Sequence, residues 1–423
     1  MLASLVAAFF PTVAGIAATG LPGAVDTRFG HTGSISRSGA PLAAARYGSN
    51  IYVARGQANL AMSVYAVTSA GRDSSAFGNA GAYAVATAGQ VVLKATSRGL
   101  VAISGRGSGD GPGVGFAYLT FSGVADPAVT ASSRGALTRV GPGQLFWSDP
   151  GYAMGRVDNV LVQGAVRLPD GSLRVCIDRY FSATGERHVS LLGLAPTGGL
   201  DSRVGPGGLR SIPSVASCRG LGQDSSQRLY ITGTSTAGDA SAVITRTNRD
   251  GLLDRTYGTA GSVRVSIPGA SLTPISNLAS TASSGLTFVP MSMTRFGRKV
   301  EGVIVRVEGA GLWDRSFGSQ GISTVPGSAT QISSEIGSLD FAPSARLVVG
   351  AATTSLSSKR TFLWRLDEAT GVTDKSFGTA GLVMTKSWTI AALPVTATRL
   401  IQVGAVPLDG QSHTATRLVG RYN

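Results

Sequence analysis

The chain has 423 residues, of which 43% are apolar and only 14% charged, with 58 glycines and a formal charge of +14 carried by 32 arginines and 5 lysines. Such a composition excludes a disordered chain, which lacks apolar residues, and a fold built on long solvated helices, which needs far more charge. It fits many short strands joined by tight turns, with a basic surface suited to nucleic acid, lipopolysaccharide, acidic polysaccharide or anionic lipid, unless the arginine only reflects a GC-rich gene.

Residues 2–18, LASLVAAFFPTVAGIAA, carry no charge and end in small residues, as the apolar region and cleavage site of an export signal do. No Lys or Arg precedes them and Pro11 interrupts them, so an apolar strand packed on the body is the alternative. We read 1–18 as a candidate signal peptide and 24–423 as the folded domain, which places the protein in the periplasm, at the cell surface or outside the cell. No later run approaches the roughly 18 apolar residues of a spanning helix.

From residue 24 onward one phrase recurs. AVDTRFGHTG (24–33) is followed by RDSSAFGNAG, GVADPAVTASSRG and GLDSRVGPGG, and then by GLLDRTYGTAG (251–261), GLWDRSFGSQG (311–321) and GVTDKSFGTAG (371–381). The clear copies centre on Asp26, Asp254, Asp314 and Asp374; the weaker ones fall at Asp73 or Ser74, Asp126 and Asp201. Most intervals are close to 50 or 60 residues, and that from Asp126 to Asp201 is 75.

Between the phrases run β-rich segments such as IYVARG, LVAISGRG, SLRVCID, RLYITGTS, RLVVGAATT and RLIQVGAV. A further strand precedes each phrase, and an alternating one such as SVRVSI follows the clear copies, putting Val263, Val265 and Ile267 on one face. Each repeat therefore offers three or four strands, and one repeat is too small to bury both faces of its own sheet. We expect an all-β fold, a seven-bladed β-propeller of repeats roughly 50–60 residues long, closed by the C-terminal strand. An open β-solenoid is the alternative.

The phrase Asp-x-x-Phe-Gly-x-x-Gly, led by a strand ending in Arg-hydrophobic and a glycine turn, resembles the bacterial delta-60 repeat, a β-propeller repeat family. The resemblance spans nearly all of 24–423, strongest at Asp26, Asp254, Asp314 and Asp374. It implies an exported or surface-associated bacterial propeller with no established catalytic residue set.

Within the phrase, Asp is expected to accept backbone N–H groups of its turn, Phe (or Tyr257) to fill space between neighbouring sheets, and the following Gly to take positive φ. Arg246, Arg306 and Arg365 precede Asp254, Asp314 and Asp374 by eight, eight and nine residues. This spacing predicts Arg–carboxylate pairs tying a strand to the turn that leaves it. In a closed ring Arg417, in the last strand, would stand in the same way to Asp26.

A cation follows Asp at Arg255, Arg315 and Lys375, and one residue later at Arg28 and Arg203. These five form a basic rim if the turns share one end of the molecule; each is instead neutralised locally if its neighbouring Asp holds it. The long interval carries Phe146, Trp147, Asp149, Tyr152 and Arg156. They read either as an aromatic ligand site on a rim loop or as core residues of a degenerate repeat. Cys176 and Cys218 lie in strands of neighbouring repeats, as a disulfide or as two buried thiols.

Catalytic signals are few. The three histidines, His31, His188 and His413, sit in turns beside no nucleophile motif, and no set of zinc ligands is present. No cofactor, metal or nucleic-acid module is implied. The leading reading is an exported binding or scaffold propeller for an anionic polymer, a glycan or a protein. The alternatives are a hydrolase or lyase acting on an anionic polysaccharide, and a surface component that assembles with other subunits.

Overall fold

The computed structural model describes residues 24–30, 32–56, 62–78, 82–85, 91–106, 111–151, 157, 159–275, 280–281, 285–295, 299–326, 333–342, 344–354, 359–396, 399–407 and 414–422. Among the described residues the fold is all-β, its strands antiparallel but for one pair, with a single 3-10 turn at Pro206–Gly208.

In chain order the strands begin with β1 (Ser34–Ser38). Next come β2 (Pro41–Tyr47), β3 (Asn50–Gly56), β4 (Met62–Thr68) and β5 (Ala82–Val85). They continue with β6 (Val91–Thr96), β7 (Gly99–Arg106), β8 (Gly113–Leu119), β9 (Leu137–Gly141) and β10 (Gln144–Ser148). Then follow β11 (Asn159–Arg167), β12 (Leu173–Phe181), β13 (Glu186–Leu194) and β14 (Leu209–Ser211). The next four are β15 (Val215–Gln223), β16 (Leu229–Ser235), β17 (Ala242–Thr247) and β18 (Ser262–Val265). After them stand β19 (Ala270–Pro274), β20 (Ser280–Thr281), β21 (Thr287–Arg295), β22 (Lys299–Val307) and β23 (Ile322–Thr324). The chain ends with β24 (Ser333–Ala342), β25 (Arg346–Thr354), β26 (Lys359–Asp367), β27 (Leu382–Thr385), β28 (Trp388–Thr396), β29 (Arg399–Pro407) and β30 (Thr414–Tyr422).

Four sheets have four strands, one has five, and one has nine. The nine-stranded sheet is two antiparallel groups, β19–β23 and β24–β27, that touch through one parallel pair, Val300 with Ser333. The sheet β1–β30–β29–β28 joins the two ends of the described chain, β1 pairing with β30 from Ser34–Val419 to Ser38–Ala415.

The phrases explain why the repeats share one geometry. In all seven, the Asp (Ser74 in the second) donates its backbone N–H to the strand before it. The acceptors are the carbonyls of Gly420, Ala66, Tyr118, Gly193, Arg246, Arg306 and Arg365. In six, the Asp carboxylate also accepts the N–H two residues on, from Arg28 (3.1 Å) to Ser376 (3.0 Å), fixing the turn. Phe29, Phe77, Tyr257, Phe317 and Phe377 are wholly buried, and Val129 and Val204 fill that place in the third and fourth copies. The Gly after the aromatic takes positive φ, and at Gly318 an added Cβ would sit 2.0 Å from the Ile322 carbonyl, so no larger residue fits.

The innermost strands pack on one another from sheet to sheet, with β2 against β6, β6 against β11, β11 against β15, β24 against β28 and β28 against β2. Apolar side chains fill the spaces between sheets: one cluster joins Phe29, Ile51 and Val53 to Ala391, Ile401 and Leu418, from opposite ends of the sequence. Cys176 of β12 and Cys218 of β15 are disulfide-bonded, with Cα atoms 6.5 Å apart, and link two neighbouring sheets inside another cluster.

The long interval is not a rim loop where it is described. Residues 137–148 form the hairpin β9–β10; β10 pairs with β8 as the fourth strand of its sheet, and β9 adds a fifth. The candidate signal segment lies outside the described residues.

Deleting residues 412–423 removes β30, exposes the edge of β29 and strands β1. The expected outcome is aggregation or a large loss of stability; a truncated chain melting cooperatively at the parent temperature would contradict it. Separately, Cys176→Ser/Cys218→Ser should lower unfolding free energy in urea by roughly 2–4 kcal/mol, because the bond closes a long loop.

Candidate functional site

Three of the expected Arg–Asp pairs form. Arg246 Nε lies 2.8 Å from Asp254, Arg306 Nε 2.8 Å from Asp314 and Arg365 Nε 3.0 Å from Asp374. Each guanidinium also stands over the buried aromatic of its own phrase, 4.5 Å from Tyr257, 5.1 Å from Phe317 and 4.7 Å from Phe377.

The fourth pair differs from expectation. Gly420, not Arg417, occupies the register position of the other three arginines, because it accepts the Asp26 N–H. A side chain at Gly420 would collide with Phe29, whose Cβ stands 2.4 Å from where one would begin. The guanidinium comes instead from the neighbouring strand β29, where Arg399 Nε approaches Asp26 at 2.6 Å. The same substitution serves Asp201: Gly193 holds the register position, and Arg174, directly opposite on β12, reaches Asp201 at 2.8 Å. Asp126 meets Arg167 of the next sheet at 3.6 Å.

These guanidinia also bind forward. Arg174 donates to the carbonyl of Arg249, Arg246 to that of Gly309, Arg306 to that of Glu368 and Arg399 to that of Ser69, each in the turn of the next repeat. At Asp374 burial pushes the carboxyl pKa up, but the Ser376 hydroxyl and N–H with Arg346 and Arg365 outweigh it and hold the pKa at about 2.

The basic rim divides in two. Arg28 and Arg203 fold back on Asp26 (3.0 Å) and Asp201 (2.8 Å), as local neutralisation requires. Arg255, Arg315 and Lys375 do not. The carboxylates beside them bind Arg246, Arg306 and Arg365, and these three exposed cations, on successive repeats and directly after their Asp, have no carboxylate partner among the described residues. Arg315 lies 3.4 Å over the Trp313 ring. Exposed aliphatic side chains stand on the phrases: Leu252, Leu253, Leu312 and Val372 on the same copies as these cations, and Val25 and Val124 on other copies, 41–60% accessible, are six of the ten large exposed hydrophobics among the described residues.

The aromatic insertion presents no platform. Trp147 is fully buried and Phe146 nearly so, the Phe146 ring lying where a Cβ on Gly113 would be. Asp149 is buried and taken by Arg179, at 2.5 and 2.8 Å. Phe146 and Trp147 point to opposite faces of β10 and both are buried, so of the two readings offered by sequence they are core residues, not an exposed ligand site. Tyr152 and Arg156 lie outside the described residues, as do His31 and His413. His188 is an exposed neighbour of Glu186 at 3.2 Å.

Sequence reasoning missed the inner strands. Following the phrase bond inward, Tyr118 pairs with Val101 and Val101 with Lys94; Arg365 pairs with Val348 and Val348 with Asp340. Lys94 and Asp340 thus hold one register position on the innermost strands of different sheets. Burial lowers the Lys94 pKa, with Asp340 opposing; burial raises that of Asp340 to about 6 against the Ala392 N–H and the Lys94 charge. Lys94 has no hydrogen bond or ion pair with any described residue. Phe341, which follows Asp340, lines a pocket of about 450 Å³ together with Arg46, Tyr47, Gly48, Leu393 and Pro394; Lys94 and Asp340 themselves do not line it. A β-bulge falls at one register position in β2, β11, β15, β24 and β28, and Gln163 and Arg219 are its polar members.

Among the described residues no three His, Cys, Asp or Glu side chains gather as a metal site, and no helix is long and apolar enough to cross a membrane. No family model matches the chain, and no curated protein does. Solved structures resemble it at low identity. A polysaccharide lyase of family PL25, an ulvan lyase, matches with 9% identity and TM-score 0.46, over 92% of this chain and 96% of that one. A protein of unknown function from Dyadobacter fermentans matches with 12% identity and TM-score 0.42, over 92% and 100%. The β-propeller domain of the Trilobed protease from Pyrococcus furiosus, with an open velcro topology, matches with 6% identity and TM-score 0.31, over 92% and 96%.

Arg306→Met leaves Asp314 buried without its guanidinium and should cost about 3 kcal/mol in urea unfolding. Adding Asp314→Asn should restore part of that loss, because the uncompensated charge goes with it. Equal stability of Arg306→Met and the parent would show that the pair does not hold the joint.

Proposed function

We propose that the chain is an exported, seven-bladed propeller of the delta-60 repeat kind, closed by its C-terminal strand, that binds an acidic polysaccharide on the face formed by its phrases. Support for the ring comes from dividing the nine-stranded sheet at its single parallel pair, which leaves seven groups of strands. The pairing of β1 with β30, the packing of β28 on β2 and the bond from Arg399 to Ser69 support closure. The Cys176–Cys218 bond supports an oxidising compartment.

The observation that carries the binding function is the trio Arg255, Arg315 and Lys375, exposed on equivalent turns and without a carboxylate partner among the described residues. A cationic arc attracts a polyanion by releasing its counterions, so affinity falls steeply as salt rises. Aliphatic neighbours at Leu252, Leu312 and Val372 favour a second reading, an anionic lipid surface.

Replacing Arg255, Arg315 and Lys375 together by Gln should weaken binding to heparin at low salt about tenfold or more, and reduce the salt slope by about two. Equal binding with an equal slope would show the rim is not the site. Stronger binding to anionic than to neutral vesicles, lost in Leu252→Ser/Leu312→Ser/Val372→Ser while heparin binding persists, would favour the lipid reading. Shortening of the polymer during incubation would overturn a purely binding role.

A further inference from the structure

Another pocket, of about 220 Å³, lies where two neighbouring sheets meet beside the fifth phrase. One wall comes from β14 and the segment leading into β15, with Arg210, Ser211 and Ser214; the other comes from the end of β17 and the phrase, with Thr247, Leu252 and Leu253. The Arg210 side chain crosses Gly251, also part of the lining, where an added Cβ would stand 3.0 Å from the Arg210 Cδ. Its Nε donates to the Asp250 carbonyl at 3.1 Å, and neither terminal nitrogen has a hydrogen bond or a carboxylate partner among the described residues. Arg174, Arg203 and Arg249, on the same two repeats, are by contrast each held by an aspartate. Ser211 is exposed, and its hydroxyl has no partner among the described residues; Ser214 shares its hydroxyl with Thr245 at 2.9 Å and can still accept. A guanidinium anchored at Nε with both ends unused, hydroxyls on the same wall and leucines opposite match a ligand with an oxyanion, hydroxyls and an apolar C–H surface. The volume is below the roughly 300–1,000 Å³ of pockets for drug-sized molecules, so it takes one ring and not a run of them. Arg255, the first of the three cations without a carboxylate partner, follows Leu253 by two residues, so the pocket adjoins one end of the cationic arc.

We propose that this pocket between sheets seats one acidic sugar residue of the bound polymer, its carboxylate or sulfate ester on the two terminal nitrogens of Arg210, its hydroxyls on Ser211 and Ser214, and its C–H surface on Leu252 and Leu253. The ligand class rests on the acidic-polysaccharide reading, but a single sugar held here needs none of the three arc cations. The two parts do different work. Cations spread over successive repeats attract any polyanion, whatever its repeating unit, whereas a pocket of this size selects by where the oxyanion stands relative to the ring. A peptide C-terminus with an aliphatic side chain would also offer an oxyanion and apolar surface; the two serine hydroxyls beside Arg210 favour the sugar.

The test is titration of the full chain with methyl glucuronide, glucose 6-sulfate and the neutral methyl glucoside, followed by ligand-observed NMR. At least one acidic sugar should bind about tenfold more tightly than the glucoside, and the better of the two identifies the oxyanion as carboxylate or sulfate ester. Arg210→Gln should lose about that factor for the acidic sugar and change glucoside binding little. Ser211→Trp, at an exposed position of the wall, should block the pocket while the melting temperature stays at the parent value. The variant carrying Gln at 255, 315 and 375 should bind the acidic sugar as the parent does, while Arg210→Gln should keep most of its heparin binding; failure of the pocket and failure of the rim are thus read separately. Equal binding of acidic and neutral sugars, equal binding by the parent and a folded Arg210→Gln or Ser211→Trp, or no binding of either acidic sugar would overturn the proposal. Binding of a peptide ending in leucine, displaced by neither acidic sugar, would overturn it in favour of a peptide-terminus site.

Discussion

The phrase carboxylate, held by a guanidinium at the point where a strand leaves its sheet, is the interaction on which the rest of the architecture depends. A four-stranded sheet of this size cannot bury both faces, so each repeat is stable only if its neighbour is held at the right distance and angle. The carboxylate fixes its own turn through the N–H two residues on, and the guanidinium carries that fixed point to a carbonyl of the next repeat. One side-chain pair thus couples local turn geometry to packing between sheets. Burial makes the joint demanding: a guanidinium bonded to Asp314, Glu368 and Ala369 tolerates no partner left uncompensated.

The same joint sorts the surface charge. A carboxylate can hold more than one guanidinium, as Asp374 holds Arg346 and Arg365, so whether the nearby cation is neutralised depends on where it stands in the phrase. Where the arginine comes from the phrase's own strand, as at Asp254, Asp314 and Asp374, the neighbouring cation points outward unpaired. Where it comes from the second strand, as at Asp26 and Asp201, the carboxylate still accepts Arg28 or Arg203 as well. The difference follows from position in the phrase: Arg28 and Arg203 stand two residues after the Asp, where Thr256, Ser316 and Ser376 donate their hydroxyls to the carboxylate, whereas Arg255, Arg315 and Lys375 stand one residue after it. The formal excess of positive charge is therefore not evenly spread, and its unpaired part lies on consecutive repeats.

Much of this was legible in the sequence wherever a local pattern carries the information. The turn phrase, its buried aromatic and three Arg–Asp pairs depend on residues within a dozen positions of each other, and their spacing exposes them. Arg417 was misassigned because spacing alone cannot tell a three-residue change in register at the chain's end. A collision with Phe29 decides it, and that contact is visible only in three dimensions. Phe146 and Trp147 followed the same rule: both are buried because β10 is covered on both faces, and sequence did not distinguish such a strand from a rim loop. The Cys176–Cys218 link required knowing that β12 faces β15.

Lys94 and Asp340 were illegible for a different reason. They stand 246 positions apart by their numbers, in segments that share no motif, and only the register carried inward from the phrase bonds puts them at one level. Their placement also runs against stability. A lysine and a carboxylate whose pKa values burial shifts toward the neutral forms are groups that a packed interior disfavours; Ala45, Val166 and Leu393 hold the matching position in three other sheets, and Gly222 and Ser280 hold it in the remaining two. For Asp340 the sign is definite. Its folded pKa lies above the unfolded value, so its contribution is favourable below pH 4 and is lost as pH rises through about 6, leaving the fold weaker at neutral pH. Six phrase carboxylates meet a guanidinium, and beside those joints Lys94 and Asp340 mark one register position at which two sheets give up stability.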